Sequence, residues 1–290
     1  MLKHKTVHLL RPLKSTFEAA LKKNIHNLGE QGVLKQACSY ALLNNGKRIR
    51  PLIVMMVAKA LNKNYNVLEP SLCVEYFHTA SIIADDMPCM DDDDTRRCKP
   101  SLHKKFGEAT ALLTSYALIS AGYKKVSDSA KKFEEQNKTL GITSQKVCIF
   151  ALEEISRFSG IDGAIGGQYL DLNPQKKDVH EANEIIYKKT ITLFEIAFVF
   201  GWIFGGGDAK YIPCVRELAY HFGRCFQVAD DLRDYKKDGD GVNMAEILGQ
   251  GRALDIFHEE ISFFEVKIKK LGLLSPEFLQ TTSFLKSYAS

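Results

Sequence analysis

The chain of 290 residues has no long hydrophobic run and no paired cysteines. Its longest apolar stretch, LFEIAFVFGWIFGGG at 193–207, contains Glu195 and is too short and too interrupted to span a membrane. We therefore expect a buried core helix there and no membrane span. The seven cysteines are odd in number, scattered and never spaced as C-x-x-C, which argues against a disulfide framework and against a zinc site.

A strong net charge and a targeting signal are also missing. The chain has 39 Lys and Arg against 35 Asp and Glu, and the resulting +4 is too small to indicate a nucleic-acid partner. In the basic N-terminal stretch MLKHKTVHLLRPLK, Arg11 and Pro12 interrupt the apolar residues, and no small-residue cleavage site follows. We expect a cytoplasmic protein that binds no nucleic acid.

Linkers rich in proline, serine or glycine are absent, and alternation typical of strands is scarce. The composition, 45% hydrophobic and 26% charged, is that of a globular protein. Apolar residues recur at helical spacing in 16–28, 34–45, 51–61, 71–84, 109–127, 146–158, 181–204, 212–235 and 253–271. These patterns predict an all-α fold, a multi-helix bundle that forms a single domain over residues 1–290. The polar stretch 127–146 is expected to be a surface helix end or loop.

The stretch ADDMPCMDDDDTRR at 84–97 concentrates six aspartates in ten positions. On an unbroken helix Asp85 and Asp91 would lie about 120° apart and could not share a ligand. Pro88 lies between them, and proline ends or kinks a helix because it lacks an N–H and clashes with the preceding turn. We predict that the helix ends just after Asp86 and that the later aspartates fold back.

A second acidic stretch, FQVADDLRDY at 226–235, carries Asp230, Asp231 and Asp234. Asp230 and Asp234 are four residues apart, so their carboxylates project from one helix face about 6 Å from each other. One such motif is more often a solvated acidic face, but two in one chain favour a metal site. Donors that are all oxygen favour Mg²⁺, which substrate phosphates usually complete.

Cations that could bind those phosphates are present. They are Lys47, Arg48 and Arg50 in NNGKRIRP, Arg96 and Arg97 after the first acidic stretch, and Lys188 and Lys189 beside Thr190 in YKKTITLFE. His78 lies two helical turns before Asp85, where either a phosphate contact or a satisfied core histidine is reasonable. Each basic pair alone is typical of a solvated surface. No Ser-His-Asp or Cys-His arrangement stands out, and metal neutralisation of a leaving diphosphate can itself drive carbon–oxygen cleavage.

These residues resemble the short-chain trans-polyprenyl diphosphate synthase family, the farnesyl and geranylgeranyl diphosphate synthases. The resemblance follows the chain in order through GKRIRP, HTASIIADDMPCMDDDDTRR, KPSLHKKFGEA, GGQYLDL, KKT and FQVADDLRD. It implies the all-helical isoprenoid synthase bundle around a central cavity, a homodimer, and three Mg²⁺ ions per active site with substrate bound.

The resemblance also assigns residues. The expected metal ligands are Asp85, Asp86, Asp91, Asp230, Asp231 and Asp234. The expected contacts to the allylic diphosphate are Arg96, Lys189, Thr190 and Gln227, and those to isopentenyl diphosphate are Lys47, Arg50, His78 and Arg97. The catalytic set is Asp85, Asp86, Lys189, Thr190 and Asp230. Gln168 and Asp171, in GGQYLDL, are expected near the cavity and the metals.

The implied reaction condenses isopentenyl diphosphate with dimethylallyl, geranyl or farnesyl diphosphate by Mg-assisted ionisation. The products would be a C15 to C20 all-trans prenyl diphosphate and pyrophosphate. A terpene cyclase and a non-catalytic regulatory subunit of a synthase heteromer are the alternatives. The motif DDLRD argues against the cyclase, and two intact aspartate motifs argue against the subunit.

Two departures from the family keep the subunit alternative open. Ala84 stands where the family commonly has histidine, and Gly241 stands near a position that is usually lysine. A residue beside the aspartates can be replaced when it only supports the ligands. The loss at Gly241 removes a phosphate cation, which we expect Lys236 or Lys237 to replace because both directly follow the second motif.

In this family the product grows along the helix that ends in the first motif, so residues four, five and eight before Asp85 can form its floor. Here they are Ser81, Ala80 and Phe77. Many farnesyl synthases of related pattern have an aromatic residue at the position of Ala80. Phe77 lies about one turn, or 5.4 Å, deeper, which is comparable with one isoprene unit. We therefore expect a C20 product, with C15 as the close alternative.

Overall fold

The computed structural model describes residues 9–137, 143–176, 178–235 and 242–287. The fold is all-α, as predicted. The helices are α1 (Leu10–Ile25), α2 (Val33–Leu42), α3 (Ile49–Ala60), α4 (Leu68–Asp85), α5 (Leu102–Phe106), α6 (Glu108–Gln136), α7 (Ser144–Ser159), α8 (Ala164–Leu172), α9 (Val179–Ile185), α10 (Thr192–Phe204), α11 (Ile212–Arg233), α12 (Met244–Leu248), α13 (Gln250–Lys270) and α14 (Pro276–Lys286). A π-helical segment, Ile186–Ile191, joins α9 to α10, and a short 3₁₀ segment, Ala209–Tyr211, precedes α11.

The predicted core helix is α10, and every one of its residues is buried. It packs against α3, α4 and α11, which surround it. Gly201 permits the close approach to α3, since a Cβ there would lie 2.8 Å from the carbonyl oxygen of Val54. Among the described helices, none is both long enough and apolar enough to cross a membrane. The buried α10 therefore serves as the centre of the bundle, which sets the frame on which the aspartate stretches are held.

In two segments the helices differ from those that the apolar periodicity predicts. The stretch 181–204, predicted as one helix, is divided into α9, the π-helical segment and α10. A π turn adds one residue to the helical repeat without changing the apolar spacing on either side, so periodicity does not detect it. The second segment is α6, which continues to Gln136, so the polar stretch from 127 is helical over most of its described part.

Candidate active site

The first aspartate cluster is formed where α4 ends. The helix ends at Asp85, and Asp86 is its C-cap, as Pro88 predicts. The chain then turns back, because the backbone N–H of Asp91 donates to the carbonyl oxygen of Asp85 at 2.9 Å. Asp92 takes the left-handed conformation, with φ of 48°, to complete this turn. The structure therefore brings Asp91 back beside the helix end.

A two-residue hairpin places the arginines that follow. Strands β1 (Thr95–Arg96) and β2 (Lys99–Pro100) pair antiparallel, with Arg96 opposite Lys99. The two turn residues, Arg97 and Cys98, have φ of 55° and 61°, the pattern of a type I′ turn. The hairpin therefore sends the adjacent side chains Arg96 and Arg97 to different partners.

Arg96 is bound to the aspartate cluster itself. Its Nε donates to Asp86 Oδ1 at 2.8 Å, Nη2 donates to the same oxygen, and Nη2 also donates to Asp93 Oδ2 at 2.5 Å. A third aspartate, Asp94, pairs with Lys104 at 2.7 Å. Asp91 has different partners, since it accepts a hydrogen bond from Gln168 and lies 4.0 Å from Lys189.

The second cluster lies at the end of α11 and is fixed by hydrogen bonds. Gln227 Nε2 donates to Asp231 Oδ1 at 2.8 Å, and Gln227 Oε1 accepts from the Thr190 hydroxyl at 2.8 Å. The other oxygen, Asp231 Oδ2, accepts the backbone N–H of Met244 at 2.9 Å. Thr190, Gln227 and Asp231 therefore form one chain of contacts from the π-helical segment to α11.

Asp230 and Asp234 share a cation in this structure. Arg233 Nη1 lies 2.9 Å from Asp230 Oδ1, and its Nη2 lies 2.8 Å from Asp234 Oδ2. Like charges four residues apart on a helix repel each other, so a cation between them stabilises the helix end. Lys47 Nζ lies 3.9 Å from Asp230 on the other side.

Asn243 supports the second cluster, and the sequence analysis did not single it out. Its side-chain oxygen caps α12 by accepting the N–H groups of Ala245 and Glu246, and its Nδ2 donates to the Asp231 carbonyl at 3.1 Å. Asparagine is among the preferred N-cap residues, and a Glu three positions later is the signature of a capping box. The pattern NMAE at 243–246 was the available signal.

The π-helical segment connects the two clusters. Lys189 Nζ donates to Asp171 at 2.6 Å and lies 4.0 Å from Asp91, while the next residue, Thr190, reaches Gln227. Gln168 Nε2 donates to Asp91 at 3.2 Å. π turns are frequent at functional sites because they redirect side chains. Gln168 therefore contacts the first cluster directly, and Asp171 is joined to it through Lys189. That both residues lie near bound metals stays a prediction.

Gly167 is required for this arrangement, and its replacement is a testable prediction. A Cβ at this position would collide with the backbone nitrogen of Lys189. We expect Gly167→Ala to lower the free energy of unfolding by about 1–3 kcal/mol, the usual cost of overpacking, and to lower turnover as well. Denaturant unfolding and initial rates check this. Gly251→Ala is the matched control, because open space surrounds that position and alanine favours helix. Equal stability of the two variants would contradict the prediction.

Burial raises the pKa of the aspartates. The pKa of Asp85 rises from 3.8 to about 7, because of burial and the nearby charges of Asp91 and Asp86, against the opposing effect of Lys189. The pKa of Asp231 rises to about 6, mainly by burial. Burial also raises the pKa values of Asp86 and Asp230.

These carboxylates fit a hard divalent cation. Within the described part of the chain, the Asp85 carboxylate makes no hydrogen bond or ion pair, although Asp85 is partly buried. Clustered carboxylates of this kind gain most from a cation that neutralises them, and oxygen donors suit Mg²⁺. Asp85 and Asp91 on one side and Asp230, Asp231 and Asp234 on the other would hold it.

A group of basic residues on α3, α4 and the hairpin, which we name the basic pocket, lies beside the clusters. Arg50 Nη1 contacts His78 Nε2 at 3.3 Å, and the Arg50 guanidinium stacks over Phe194, 4.4 Å from the ring centroid. Arg97 Nη1 donates to the Asn44 carbonyl at 3.1 Å. The pKa of Arg50 is lowered to about 10 by burial, which leaves it charged at neutral pH.

His78 is neutral and presents an N–H. Burial and the surrounding arginines, Arg50 and Arg97 first, hold its pKa well below the ordinary value. A guanidinium only donates hydrogen bonds, so Nε2 accepts from Arg50 and the proton is on Nδ1. His78 Nδ1 and Arg50 Nε are buried and have no partner in the described residues. Both are available to an acceptor such as a phosphate oxygen.

Not every expected cation is available. Arg48 is buried and donates to Glu18 at 2.8 Å, to Glu75 and to the Leu42 carbonyl at 2.6 Å. It therefore holds α1, α3 and α4 together. Lys47, with 55% of its side chain exposed, remains accessible. The proposed substitutes Lys236 and Lys237, and Gly241, lie outside the described residues.

The all-α bundle and the two aspartate clusters beside a pocket of cations are those of the isoprenoid synthases. The model of the polyprenyl synthetase family matches residues 31–269, and the chain belongs to this family.

Relatives and solved structures agree with this assignment. The chain is 36% identical over 219 residues to the large subunit 2 of a heterodimeric geranylgeranyl pyrophosphate synthase of Arabidopsis thaliana; the match covers 73% of this chain but only 55% of that protein. It is 34% identical to the farnesyl diphosphate synthase of Bacillus subtilis, with 80% and 76% covered. A geranyltransferase from Legionella pneumophila, 24% identical, shares the fold with a TM-score of 0.83 over 99% of both chains. A geranyltranstransferase from Thermotoga maritima is 26% identical, with a TM-score of 0.77 over 97% of both chains.

Proposed function

We propose that the chain condenses isopentenyl diphosphate with an allylic diphosphate to give a C15 to C20 all-trans prenyl diphosphate and pyrophosphate. The observation that supports this most directly is the π-helical segment. Its residue Lys189 lies 4.0 Å from Asp91 of the first cluster, and the adjacent Thr190 is joined to Asp231 of the second cluster through Gln227. One diphosphate held between the clusters would meet both residues. Family membership and the relatives' activities support the same reaction.

The two substrates would occupy different parts of the site. The allylic diphosphate would lie between the aspartate clusters, where Lys189, Thr190 and Gln227 contact it. Isopentenyl diphosphate would lie in the basic pocket, where Arg50, Arg97 and Lys47 supply charge and His78 Nδ1 donates a hydrogen bond. Arg96 would reach the allylic diphosphate only after sharing or releasing its ion pairs with Asp86 and Asp93.

The reaction needs one bond broken, one bond formed and one proton moved. Bound Mg²⁺, for which we propose three ions, would neutralise the leaving diphosphate. As the allylic carbon–oxygen bond breaks, Lys189 stabilises the developing negative charge, and Thr190 lies beside the carbocation. The double bond of isopentenyl diphosphate supplies the electrons of the new carbon–carbon bond. An oxygen of the released pyrophosphate takes the proton that restores a double bond.

The experiment that tests this function incubates purified protein with labelled isopentenyl diphosphate and each allylic diphosphate, with Mg²⁺ or with EDTA. We expect elongated prenyl diphosphates in the presence of Mg²⁺ and none with EDTA. A terpene cyclase would consume the allylic substrate without isopentenyl diphosphate. No turnover with any partner would favour a regulatory subunit and contradict the proposal.

Product length is predicted to depend on α4. Phe77 and Ala80 are buried, and Ser81 lies one turn above Phe77. We expect Ala80→Phe to shorten the product, because the new ring blocks the chain above Phe77, and Phe77→Ala to lengthen it. Chromatography of the dephosphorylated products measures this. Unchanged product distributions in both variants would contradict the prediction that these residues form the floor for the growing chain.

A homodimer is proposed through α6 and α7. Both helices expose large apolar side chains, namely Leu112, Leu113, Tyr116, Tyr123, Ile149 and Leu152. An apolar surface of this kind on adjacent helices fits a second copy of the chain, in line with the dimer that family resemblance implies. Sedimentation of the purified chain measures the mass, and a monomer at assay concentration would contradict the proposal.

A further inference from the structure

The ring of Phe77 is held by α6 rather than by its own helix. It packs edge-on against the Tyr123 ring, with centroids 5.3 Å apart and planes at 82°. On the adjacent residue, Gly122, an added Cβ would lie 2.6 Å from Phe77 Cε2 and 3.0 Å from Cδ2. The Phe77 ring therefore occupies the space that a side chain at residue 122 would fill.

We propose that Gly122 and Tyr123 are positioning residues that set product length by fixing the orientation of Phe77. This inference rests on the proposed prenyl elongation and extends it to two residues of α6 outside the motifs. Gly122 gives the ring room against α6, and Tyr123 prevents it from turning towards the exposed side. The Phe77 ring is thereby held in one orientation relative to α4.

Substitutions at Gly122 and Tyr123 are expected to change product length in opposite directions. A methyl group at Gly122 pushes the ring off α6 and back towards the growing chain, so Gly122→Ala shortens the product. Tyr123→Ala opens the volume beside the ring and lets it turn away from the chain, so the product lengthens. Since an edge-on aromatic pair has a modest energy, we expect the ratio of adjacent chain lengths to change about three- to tenfold.

Tyr123 also lies on the α6 surface proposed for the dimer, with 44% of its surface exposed. A change in product length could therefore follow from a weakened dimer. Tyr116 is the matched control, because it is an exposed tyrosine on the same face, at 59%, and none of the described aromatic contacts joins it to Phe77. Tyr123→Phe is the conservative variant, because it keeps the ring and removes only the hydroxyl.

The experiment compares product lengths, total isopentenyl incorporation and native mass for the wild-type chain and seven variants. These are Phe77→Ala, Gly122→Ala, Tyr123→Ala, Tyr123→Phe, Tyr116→Ala and the two double variants Phe77→Ala/Gly122→Ala and Phe77→Ala/Tyr123→Ala. We expect shifts in Gly122→Ala and Tyr123→Ala, wild-type products from Tyr123→Phe and Tyr116→Ala, and no further shift when either α6 change is added to Phe77→Ala. Should Gly122→Ala fail to fold, the Tyr123 series gives the same test.

Three results would overturn the inference. One is unchanged product length in Tyr123→Ala while Phe77→Ala changes it, which leaves the proposed function intact. Another is an equal shift in Tyr116→Ala, which would assign the effect to the dimer. The third is a full shift by Tyr123→Ala in the Phe77→Ala background, which would show that Tyr123 acts without Phe77. Loss of all prenyl products from wild-type protein is the separate result that contradicts the proposed function.

Discussion

Replacing Asp85 by asparagine is expected to lower kcat/KM for prenyl elongation by about 10²- to 10³-fold, the usual effect of removing one preorganised charged group. The substitution keeps the shape of the side chain and removes only its charge. The Asp85 carboxylate is partly buried and has no hydrogen bond or ion pair in the described residues, which favours cation binding as its role. Steady-state rates at saturating Mg²⁺ measure the effect. Activity within a few-fold of wild type would contradict it.

The same substitution should stabilise the protein in the absence of Mg²⁺ and substrates. The pKa of Asp85 is raised from 3.8 to about 7 in the folded state. The folded protein therefore binds a proton more tightly than the unfolded chain, and stability is lost as pH rises from about 4 to about 7. The asparagine side chain does not titrate, so the Tm of the Asp85→Asn variant should match wild type near pH 4 and exceed it above pH 7. A wild-type Tm above that of Asp85→Asn at pH 8 would contradict this prediction.

Replacing Lys189 by alanine is expected to lower turnover by about 10²-fold, while Lys188→Ala changes it little. The two lysines are neighbours in the π-helical segment but have different partners. Lys189 reaches Asp171 and Asp91, whereas Lys188 pairs with Glu184 at 2.9 Å. Lys188→Ala is thus a control that matches Lys189→Ala in charge and in helix propensity. Single-turnover rates with an allylic substrate separate this effect from substrate binding, and similar losses in both variants would contradict the assignment.

The first aspartate cluster shows what local sequence can predict. Pro88 fixes the end of α4, because the constraint acts within two residues, and the return of Asp91 to Asp85 follows from it. The buried α10 was predictable for a similar reason, since its apolar run is nearly continuous. The family motifs supplied the candidate residues, whose roles stay predictions. The structure places Lys189 4.0 Å from Asp91 and joins Thr190 to Asp231 through Gln227.

Contacts that depend on distant parts of the chain were not predictable. Arg48 and Arg50 are two residues apart in one basic motif, yet Arg48 is paired with Glu18 and Glu75 while Arg50 faces His78. Nothing in the local pattern separates them, because the acidic partners come from α1 and α4. The π-helical segment was missed for a different reason, since its extra residue leaves the apolar spacing of both flanking helices intact.

In the proposed reaction both aspartate clusters act on one diphosphate. Calorimetric titration of a thiolo analogue of geranyl diphosphate, which resists ionisation, tests it directly in wild type, Asp85→Asn and Asp231→Asn. We expect wild-type affinity to rise at least about tenfold when Mg²⁺ replaces EDTA, and this gain to be lost in either variant alone. Equal affinity in Mg²⁺ and EDTA, or a loss confined to one of the two variants, would contradict the claim.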